Sequence, residues 1–113
     1  MIRSATRNDV NAIFHLIEEL ASYERAPEQV VNTPQQLEID LFDERICSAI
    51  VATDESDEVI GFALYYISYS TWKGRCLYLE DFYVKEVVRK QGFGQALFDE
   101  VVRIAKQMGV KRM

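Results

Sequence analysis

The sequence predicts a mixed α/β domain, a largely antiparallel sheet with helices on both faces. Three consecutive segments rich in β-branched and aromatic residues are separated by short turns and carry apolar residues on both faces. Segments with apolar residues at helical spacing precede and follow them. The expected order is β-α-α-β-β-β-α-(β), within one domain that spans residues 1–113.

The first part of the chain is expected to supply one short strand and two helices. Residues 2–5 form the strand, and polar residues 6–9 begin the first helix. The apolar face of this helix consists of Val10, Ile13, Phe14, Ile17, Leu20 and Ala21. The second helix begins at Thr33, with Pro34 in its first position and Gln36 completing a capping box. Residues 23–31 form an irregular loop between the helices.

The second part of the chain is expected to form an antiparallel meander and a third helix. The strands cover residues 46–53, 59–69 and 76–84. Because they are apolar on both faces, helices should cover the sheet on both sides. The third helix ends at Gly109, and residues 110–113 begin a further strand.

Composition argues against several classes of function. The net charge is −5 and the acidic residues are dispersed, which disfavours a nucleic-acid surface and mildly favours cationic partners. The sequence contains neither a membrane span nor a signal peptide, so we expect a cytoplasmic protein. Cys47 and Cys76 lie in apolar runs without a CxxC pair, and His15 is the single histidine, so no metal site is expected. We expect His15 at the surface.

The segment Arg89-Lys90-Gln91-Gly92-Phe93-Gly94 lies between a predicted strand and a predicted helix. Backbone N–H groups at such a helix start are unpaired, and glycine lets a phosphate approach them closely. The alternative is a tight turn with no ligand. A dinucleotide-binding fingerprint would need glycine at Leu97, and a P-loop would need Gly-Lys-Ser/Thr, so neither motif is present.

With Arg89, Gly92 and Gly94 in the pattern Q/R-x-x-G-x-G/A, the sequence resembles the GNAT superfamily of N-acetyltransferases. Residues 77–84, 61–66 and 20–24 are similar to the spermidine/spermine (diamine) and thialysine N-acetyltransferases. The resemblance implies transfer of an acetyl group from acetyl-CoA to a small cationic amine. It also implies that residues 1–113 are the N-terminal and central part of a single acetyltransferase domain.

The resemblance assigns roles to individual positions. The residues expected to bind acetyl-CoA are Phe82, Tyr83, Val84, Arg89, Lys90, Gln91, Gly92, Phe93, Gly94 and Gln95. The residues expected to bind the amine are Tyr23, Glu24, Glu80 and Asp81. Glu80 is the candidate catalytic residue, assisting deprotonation of the amine through water. A bulged backbone N–H near Tyr83 is expected to stabilise the oxyanion.

Physical chemistry leaves alternatives open for the acidic residues. An unpaired carboxylate in so apolar a strand is costly to bury, so Glu80 and Asp81 either bind a ligand or pair with an internal Arg, Lys or backbone N–H. Alternation along a strand puts the two side chains on opposite faces. Tyr23 and Glu24 are otherwise an ordinary helix end.

The resemblance also implies that the general acid lies beyond Met113. In this family a tyrosine on a later helix usually protonates the leaving thiolate, and the sequence stops at Met113, before that helix and the last two strands. We therefore expect weak coenzyme A binding with little turnover, and a homodimer that shares or exchanges C-terminal elements. Three hypotheses remain: an amine N-acetyltransferase, an acyl-CoA-binding regulatory module, and a non-catalytic fragment that dimerises through its sheet edge.

Overall fold

Four antiparallel strands lie at the centre of the molecule in the order β1-β2-β3-β4. The computed structural model describes all residues from 1 to 113. The strands are β1 (Ile2–Ser4), β2 (Ser48–Thr53), β3 (Val59–Ser70) and β4 (Gly74–Val84). The α-helices are α1 (Val10–Tyr23), α2 (Pro34–Glu38) and α3 (Phe93–Met108). The predicted order of elements and the mixed α/β class are confirmed.

A buried carboxylate fixes the start of α1 against β1. Asp9 ends a short 3-10 turn and is only 6% exposed. Its Oδ2 accepts hydrogen bonds from Thr6 N at 2.8 Å and Thr6 Oγ1 at 3.1 Å. Both carboxylate oxygens also accept from the Arg3 guanidinium, at 2.7 and 3.0 Å. These bonds hold the pKa of Asp9 below its ordinary range, with the Arg3 hydrogen bonds the largest cause.

Helix α2 begins at the predicted residue but is capped by only half of the predicted motif. Thr33 Oγ1 accepts a hydrogen bond from Gln36 N at 3.1 Å. The Gln36 side chain does not return to the cap, because its amide donates instead to Asp40 Oδ1 at 3.1 Å. The prediction of a capping box was therefore wrong. After Glu38 the helix continues as a π-helical turn over Ile39–Asp43.

The sheet is buried on both faces, as its apolar pattern predicts. Helix α1 packs on one face, where Ile13, Leu16 and Phe62 form the centre of a core. Leu16 lies outside the predicted apolar face, yet it is 1% exposed. Helix α3 packs on the opposite face, where Leu97 and Val101 are fully buried. Successive residues along β2 and β3 point alternately into one core and the other.

Gly61 lets α3 approach the sheet closely. A Cβ atom at this position would lie 3.1 Å from Tyr83 O, 3.1 Å from Val84 Cγ2 and 3.2 Å from Leu97 Cδ1. Each distance is shorter than most contacts that Cβ atoms make in proteins, so a side chain here would push its neighbours away. The absence of a side chain at Gly61 thus sets the distance between β3 and α3 at the end of β4.

The C-terminal residues begin the predicted further strand as a single parallel bridge between Cys76 and Arg112. Leu77 N donates to Arg112 O at 2.8 Å, and Lys111 N donates to Arg75 O at 2.9 Å. The bridge lies at the start of β4, and Met113 follows it with an exposed side chain. The rest of the outer edge of β4 pairs with no strand.

The remaining predictions concern isolated side chains. His15 is exposed and its Nε2 lies 3.4 Å from Glu19 Oε2, which confirms a surface position. Both cysteines are free: Cys76 is buried and Cys47 is half-buried. None of the helices has the length and apolar character needed to cross a bilayer.

Candidate active site

A β-bulge brings the two acidic residues of β4 to one cavity. Leu64 pairs with Asp81 and Tyr65 pairs with Leu79, so that Glu80 is an extra residue in β4. An extra residue interrupts the alternation of side chains between the two faces. The prediction that Glu80 and Asp81 lie on opposite faces was therefore wrong, because it assumed an unbroken strand.

The cavity beside this bulge, called here the acidic cavity, has a volume of about 440 Å³. It is lined by Ile17, Asn32, Leu37, Asp40, Ile46, Cys47, Leu64, Tyr66, Glu80 and Asp81. Glu80 is exposed, whereas Asp81 is half-buried. Neither side chain makes an ion pair or a hydrogen bond within the chain. The alternative of an internal partner for these carboxylates is thus not realised.

The surroundings of Asp81 disfavour the charged form of its carboxyl group. Burial raises its pKa above the ordinary range, and the charges of Glu80 and Glu24 raise it further. The structure therefore brings three of the predicted amine-site residues close enough to interact electrostatically. A cation in this place would reduce the mutual repulsion of the carboxylates. The carboxylates do not form a cluster suited to holding a metal ion.

Sequence reasoning missed several residues of the acidic cavity, chiefly Asp40, Cys47 and Tyr66. Burial and the nearby charge of Asp40 raise the pKa of the Cys47 thiol. The Tyr66 ring lies against that of Tyr78, with centroids 5.2 Å apart. A signal for Asp40 was present, because it follows Leu37 by three residues and so shares a helix face with it.

A second cavity lies at the end of β4 and is called here the edge cavity. Its volume is about 400 Å³, and its lining residues are Leu20, Tyr23, Phe82, Tyr83, Val84, Arg89 and Gly94. It thus brings together residues predicted for the acetyl-CoA site with Tyr23, predicted for the amine site. Leu20 was not predicted for either site.

The backbone at the end of β4 presents outward polar groups to the edge cavity, and of these the Val84 C=O accepts from Arg89 Nε. Lys85 N donates to Ile60 O at 2.9 Å, while Gly61 is the Cα partner of Val84. In an antiparallel ladder this arrangement makes Gly61 and Val84 a non-hydrogen-bonded pair. The N–H and C=O groups of Phe82 and Val84 therefore point away from β3, whereas those of Tyr83 point towards it. The strand is bulged near Tyr83, at Glu80, whereas the Tyr83 N–H itself faces β3, so the donor to an oxyanion on this strand stays a prediction.

The segment 89–94, called here the glycine turn, leads into α3 as predicted, and its first three residues belong to a 3-10 helix over Glu86–Gln91 that follows β4. Gly92 adopts φ of 86°, a left-handed conformation that glycine enters without strain. The first helical bond runs from Ala96 N to Gly92 O at 3.1 Å. The N–H groups of Phe93, Gly94 and Gln95 precede it, and no side chain caps them. This end of α3 can therefore accept an anion.

The individual side chains of the turn differ in what surrounds them. Lys90 and Gln91 are exposed. The Gln95 amide donates to Asp99 Oδ1 at 2.8 Å, which leaves only its backbone N–H facing the turn. A Cβ atom on Gly94 would meet only Val84 Cγ2, at 3.9 Å, so the space in front of Gly94 is open.

Arg89 bridges the end of β4 and the end of α1. Its Nε donates to Val84 O at 2.9 Å. Its guanidinium carbon lies 5.1 Å from the centre of the Tyr23 ring and 5.3 Å from that of the Tyr83 ring. The Tyr83 hydroxyl donates to Glu19 Oε1 at 3.2 Å. Burial and Glu19 raise the pKa of Tyr83.

The predicted general acid, a tyrosine after Met113, lies outside the residues that the structure describes. Met113 itself lines neither the acidic cavity nor the edge cavity. The reason is that the bridge between Arg112 and Cys76 holds the C-terminal residues at the start of β4, whereas the edge cavity lies at its end. The position of the general acid beyond Met113 stays a prediction.

Comparison with known proteins agrees with this arrangement. The model of the acetyltransferase (GNAT) family matches residues 11–113. The chain is 40% identical to thialysine N-epsilon-acetyltransferase of Bos taurus, covering 100% of this chain and 71% of that protein. It is 32% identical to the human spermidine/spermine N(1)-acetyltransferase-like protein 1, covering 92% of this chain but 16% of that protein.

A solved structure supports the fold independently. The crystal structure of a possible acetyltransferase from Clostridium difficile superposes with a TM-score of 0.77 at 24% identity, covering 94% of this chain and 70% of the other. The resemblance in sequence is thus accompanied by the same arrangement of helices and strands. From the family match over residues 11–113, the relatives and the shared fold, the chain belongs to the acetyltransferase (GNAT) family.

Proposed function

We propose that this chain binds acetyl-CoA in the edge cavity and transfers its acetyl group to a small amine held in the acidic cavity. One observation carries the proposal: β4 joins both cavities. Asp81 lines the acidic cavity, and Phe82, the next residue, lines the edge cavity. The free N–H groups of α3 lie beyond, at Gly94. A donor and an acceptor bound along this line would meet near Asp81.

Two features of the edge cavity support binding of acetyl-CoA. The outward N–H and C=O groups of Phe82 and the outward N–H of Val84 can pair with the amides of a pantetheine arm, as an added strand would, while the Val84 C=O accepts from Arg89 Nε. The free N–H groups of Phe93, Gly94 and Gln95 can bind the pyrophosphate, with Lys90 nearby. A tight turn that binds no ligand would need no open cavity beside it. The edge cavity therefore favours a ligand site over the alternative of a turn without a ligand.

The acidic cavity supports a cationic acceptor. An alkyl ammonium has a pKa of about 10.4, and only the neutral amine attacks a thioester. Glu24 and Glu80 attract the cation, and Asp81 is the best placed to take its proton. Burial and two neighbouring carboxylates raise the pKa of Asp81, which makes it a stronger base than an ordinary aspartate. The proposal thus moves the catalytic role from Glu80, which is exposed, to Asp81.

The transfer then follows from the chemistry of the thioester. The amine nitrogen bonds to the acetyl carbon, and the C–S bond breaks after a tetrahedral oxyanion has formed. An outward N–H of Phe82 or Val84 can donate to this oxyanion. The first proton, taken from the ammonium, resides on Asp81. The attacking nitrogen loses a second proton to solvent as the amide forms, and the departing thiolate is protonated by solvent or by a further acid. The thialysine and spermidine/spermine names of the relatives suggest an acceptor with a second positive charge.

The proposal is tested by calorimetry with acetyl-CoA and by acetyl transfer to spermidine and thialysine. Asp81→Asn should retain acetyl-CoA affinity and lose turnover by at least a hundredfold, as expected for a general base. Glu55→Gln, in an exposed turn, serves as the matched control. Failure of the wild-type chain to bind acetyl-CoA would overturn the proposal, and unchanged turnover in Asp81→Asn would remove the assigned base. Binding without transfer to any amine would favour an acyl-CoA-binding module.

A further inference from the structure

Although Arg89 is exposed, its side chain lies against groups of the protein rather than standing free in solvent. It lies across the edge cavity, where Nε donates to Val84 O and the guanidinium contacts the rings of Tyr23 and Tyr83. Contacts of this kind are favourable because the face of an aromatic ring attracts a cation. The side chain of Arg89 therefore contacts β4 and the end of α1, and its backbone is the first residue of the glycine turn.

The contact between Arg89 and Tyr23 is important because the Tyr23 side chain has few other restraints. Tyr23 is the last residue of α1 and is 62% exposed. Its hydroxyl makes no hydrogen bond within the chain, whereas the Tyr83 hydroxyl is bonded to Glu19. The next residue, Glu24, is the C-cap of α1, and its charge acts on Asp81. Arg89 is thus placed to orient the Tyr23 ring beside Glu24.

We propose that Arg89 is a positioning residue that couples the two substrate sites: a ligand on the turn holds Arg89, which holds Tyr23 at the entrance to the amine site. The inference rests on the proposed function, because it assigns the two sites as that function does. A ligand entering the edge cavity must contact Arg89, which lines it. Restricting Arg89 in this way lowers the entropic cost of ordering Tyr23 for the second ligand. By linkage, each ligand then tightens the binding of the other by the same factor.

Two simpler roles for Arg89 make different predictions. A residue that only supplies charge to a phosphate would affect coenzyme A and leave the amine unaffected. A residue that only fastens the end of β4 through Val84 would lower stability and both affinities together. The coupling role alone requires the ring of Tyr23, and it alone predicts that Tyr23 and Arg89 act as a unit.

The experiment measures spermidine affinity by calorimetry, with and without saturating coenzyme A, which carries no acetyl group to transfer. The variants are Arg89→Lys, Tyr23→Leu, Tyr23→Phe and the double variant Arg89→Lys/Tyr23→Leu. Lysine keeps the charge but lacks the planar group that contacts both rings while donating to Val84. Phenylalanine keeps the ring of Tyr23 and removes only its hydroxyl. Lys90→Met is the control within the same segment, because Lys90 is exposed.

Coenzyme A should tighten spermidine binding by at least fivefold in the wild type, the lower end of typical coupling between sites. In Arg89→Lys and Tyr23→Leu the ratio should fall below about twofold, and the double variant should be no worse than either single one. Tyr23→Phe should keep the wild-type ratio. Lys90→Met should weaken coenzyme A binding and also keep the ratio.

A ratio near one in the wild type, or a wild-type ratio in Tyr23→Leu, would overturn the inference and leave the proposed function intact. Wild-type protein that binds no coenzyme A would instead contradict the proposed cosubstrate site. Spermidine that binds in neither condition would contradict the proposed amine site. Because Tyr23 is exposed, Tyr23→Leu tests the coupling even if Arg89→Lys does not fold.

Discussion

Glu80 and Asp81 are adjacent in β4, yet both line the acidic cavity, because Glu80 is the extra residue of a β-bulge. A regular strand would have put one of them on the opposite face. Burial is the largest cause of the raised pKa of Asp81, and the nearby charges of Glu80 and Glu24 raise it further. The bulge thus creates the electrostatic character of the candidate amine site.

The raised pKa of Asp81 predicts how amine binding depends on pH. Asp81 should take up a proton at a higher pH than an ordinary aspartate, whose pKa is about 3.9. Spermidine affinity should therefore fall as the pH decreases from 7 towards about 3.9, because Asp81 loses its negative charge in this range. Asp81→Asn should weaken binding at pH 7 by about tenfold, the effect of one charge-assisted contact. Calorimetry across pH 4–8 would show this, and a flat profile in the wild type would contradict it.

The same shift predicts an effect on stability, with the sign that follows from proton linkage. The folded protein holds the Asp81 proton more tightly than the unfolded chain does, so ionisation of Asp81 opposes folding. This residue should therefore lower the stability of the wild type as pH rises through the unfolded and then the folded pKa. Asp81→Asn should accordingly unfold at a higher temperature than wild type at pH 7, and at the same temperature near pH 3. A lower melting temperature for Asp81→Asn at pH 7 would contradict the assignment.

Two substitutions at Gly94 separate packing from ligand binding. A Cβ atom there has ordinary contact with Val84 Cγ2 at 3.9 Å, so Gly94→Ala should change the free energy of unfolding by less than about 1 kcal/mol. Gly94→Glu should also fold, but its carboxylate would occupy the place proposed for the pyrophosphate. We expect acetyl-CoA affinity to fall by more than tenfold in Gly94→Glu, and calorimetry that finds equal affinity would remove this turn from the site.

Gly61 offers the opposite test, in which a small side chain should disturb the fold. Gly61→Ala would put a Cβ atom 3.1 to 3.2 Å from atoms of Tyr83, Val84 and Leu97. Overpacking of this kind costs about 1–3 kcal/mol. Urea denaturation should show that loss in Gly61→Ala, with Gly94→Ala as the matched control. Equal stability of the two variants would mean that α3 can move away from the sheet without cost.

Asp9 provides a stability prediction outside the cavities. Its buried carboxylate accepts from Arg3 and Thr6, so Asp9→Asn should cost about 2 kcal/mol at pH 7. Because the folded pKa of Asp9 is lowered, this contribution is present above the unfolded value of about 3.9 and is lost as pH falls through the folded pKa. Glu38→Gln, which breaks an exposed ion pair with Arg7, should cost less than about 0.5 kcal/mol. Similar losses in both variants would contradict the role of Asp9.

The elements of the fold were predictable because they arise from local patterns. The spacing of Val10, Ile13 and Phe14 defines a helix face, and the two-sided apolar strands require helices on both sides. The glycine turn was predictable because Gly92 is needed where the backbone turns left-handed. The 3-10 helix over Glu86–Gln91 was missed, since its residues carry no distinct period.

The tertiary structure decided how the site is assembled. The bulge at Glu80 depends on the pairing of β4 with β3, and alternation along one strand does not reveal that register. Arg89 reaches Tyr23 across 66 positions of sequence because α1 and β4 pack side by side. Asp40 likewise faces Asp81 only across a cavity that packing creates. Local residue patterns thus determined the helices, strands and turn of this protein, whereas contacts between distant segments decided which charges meet.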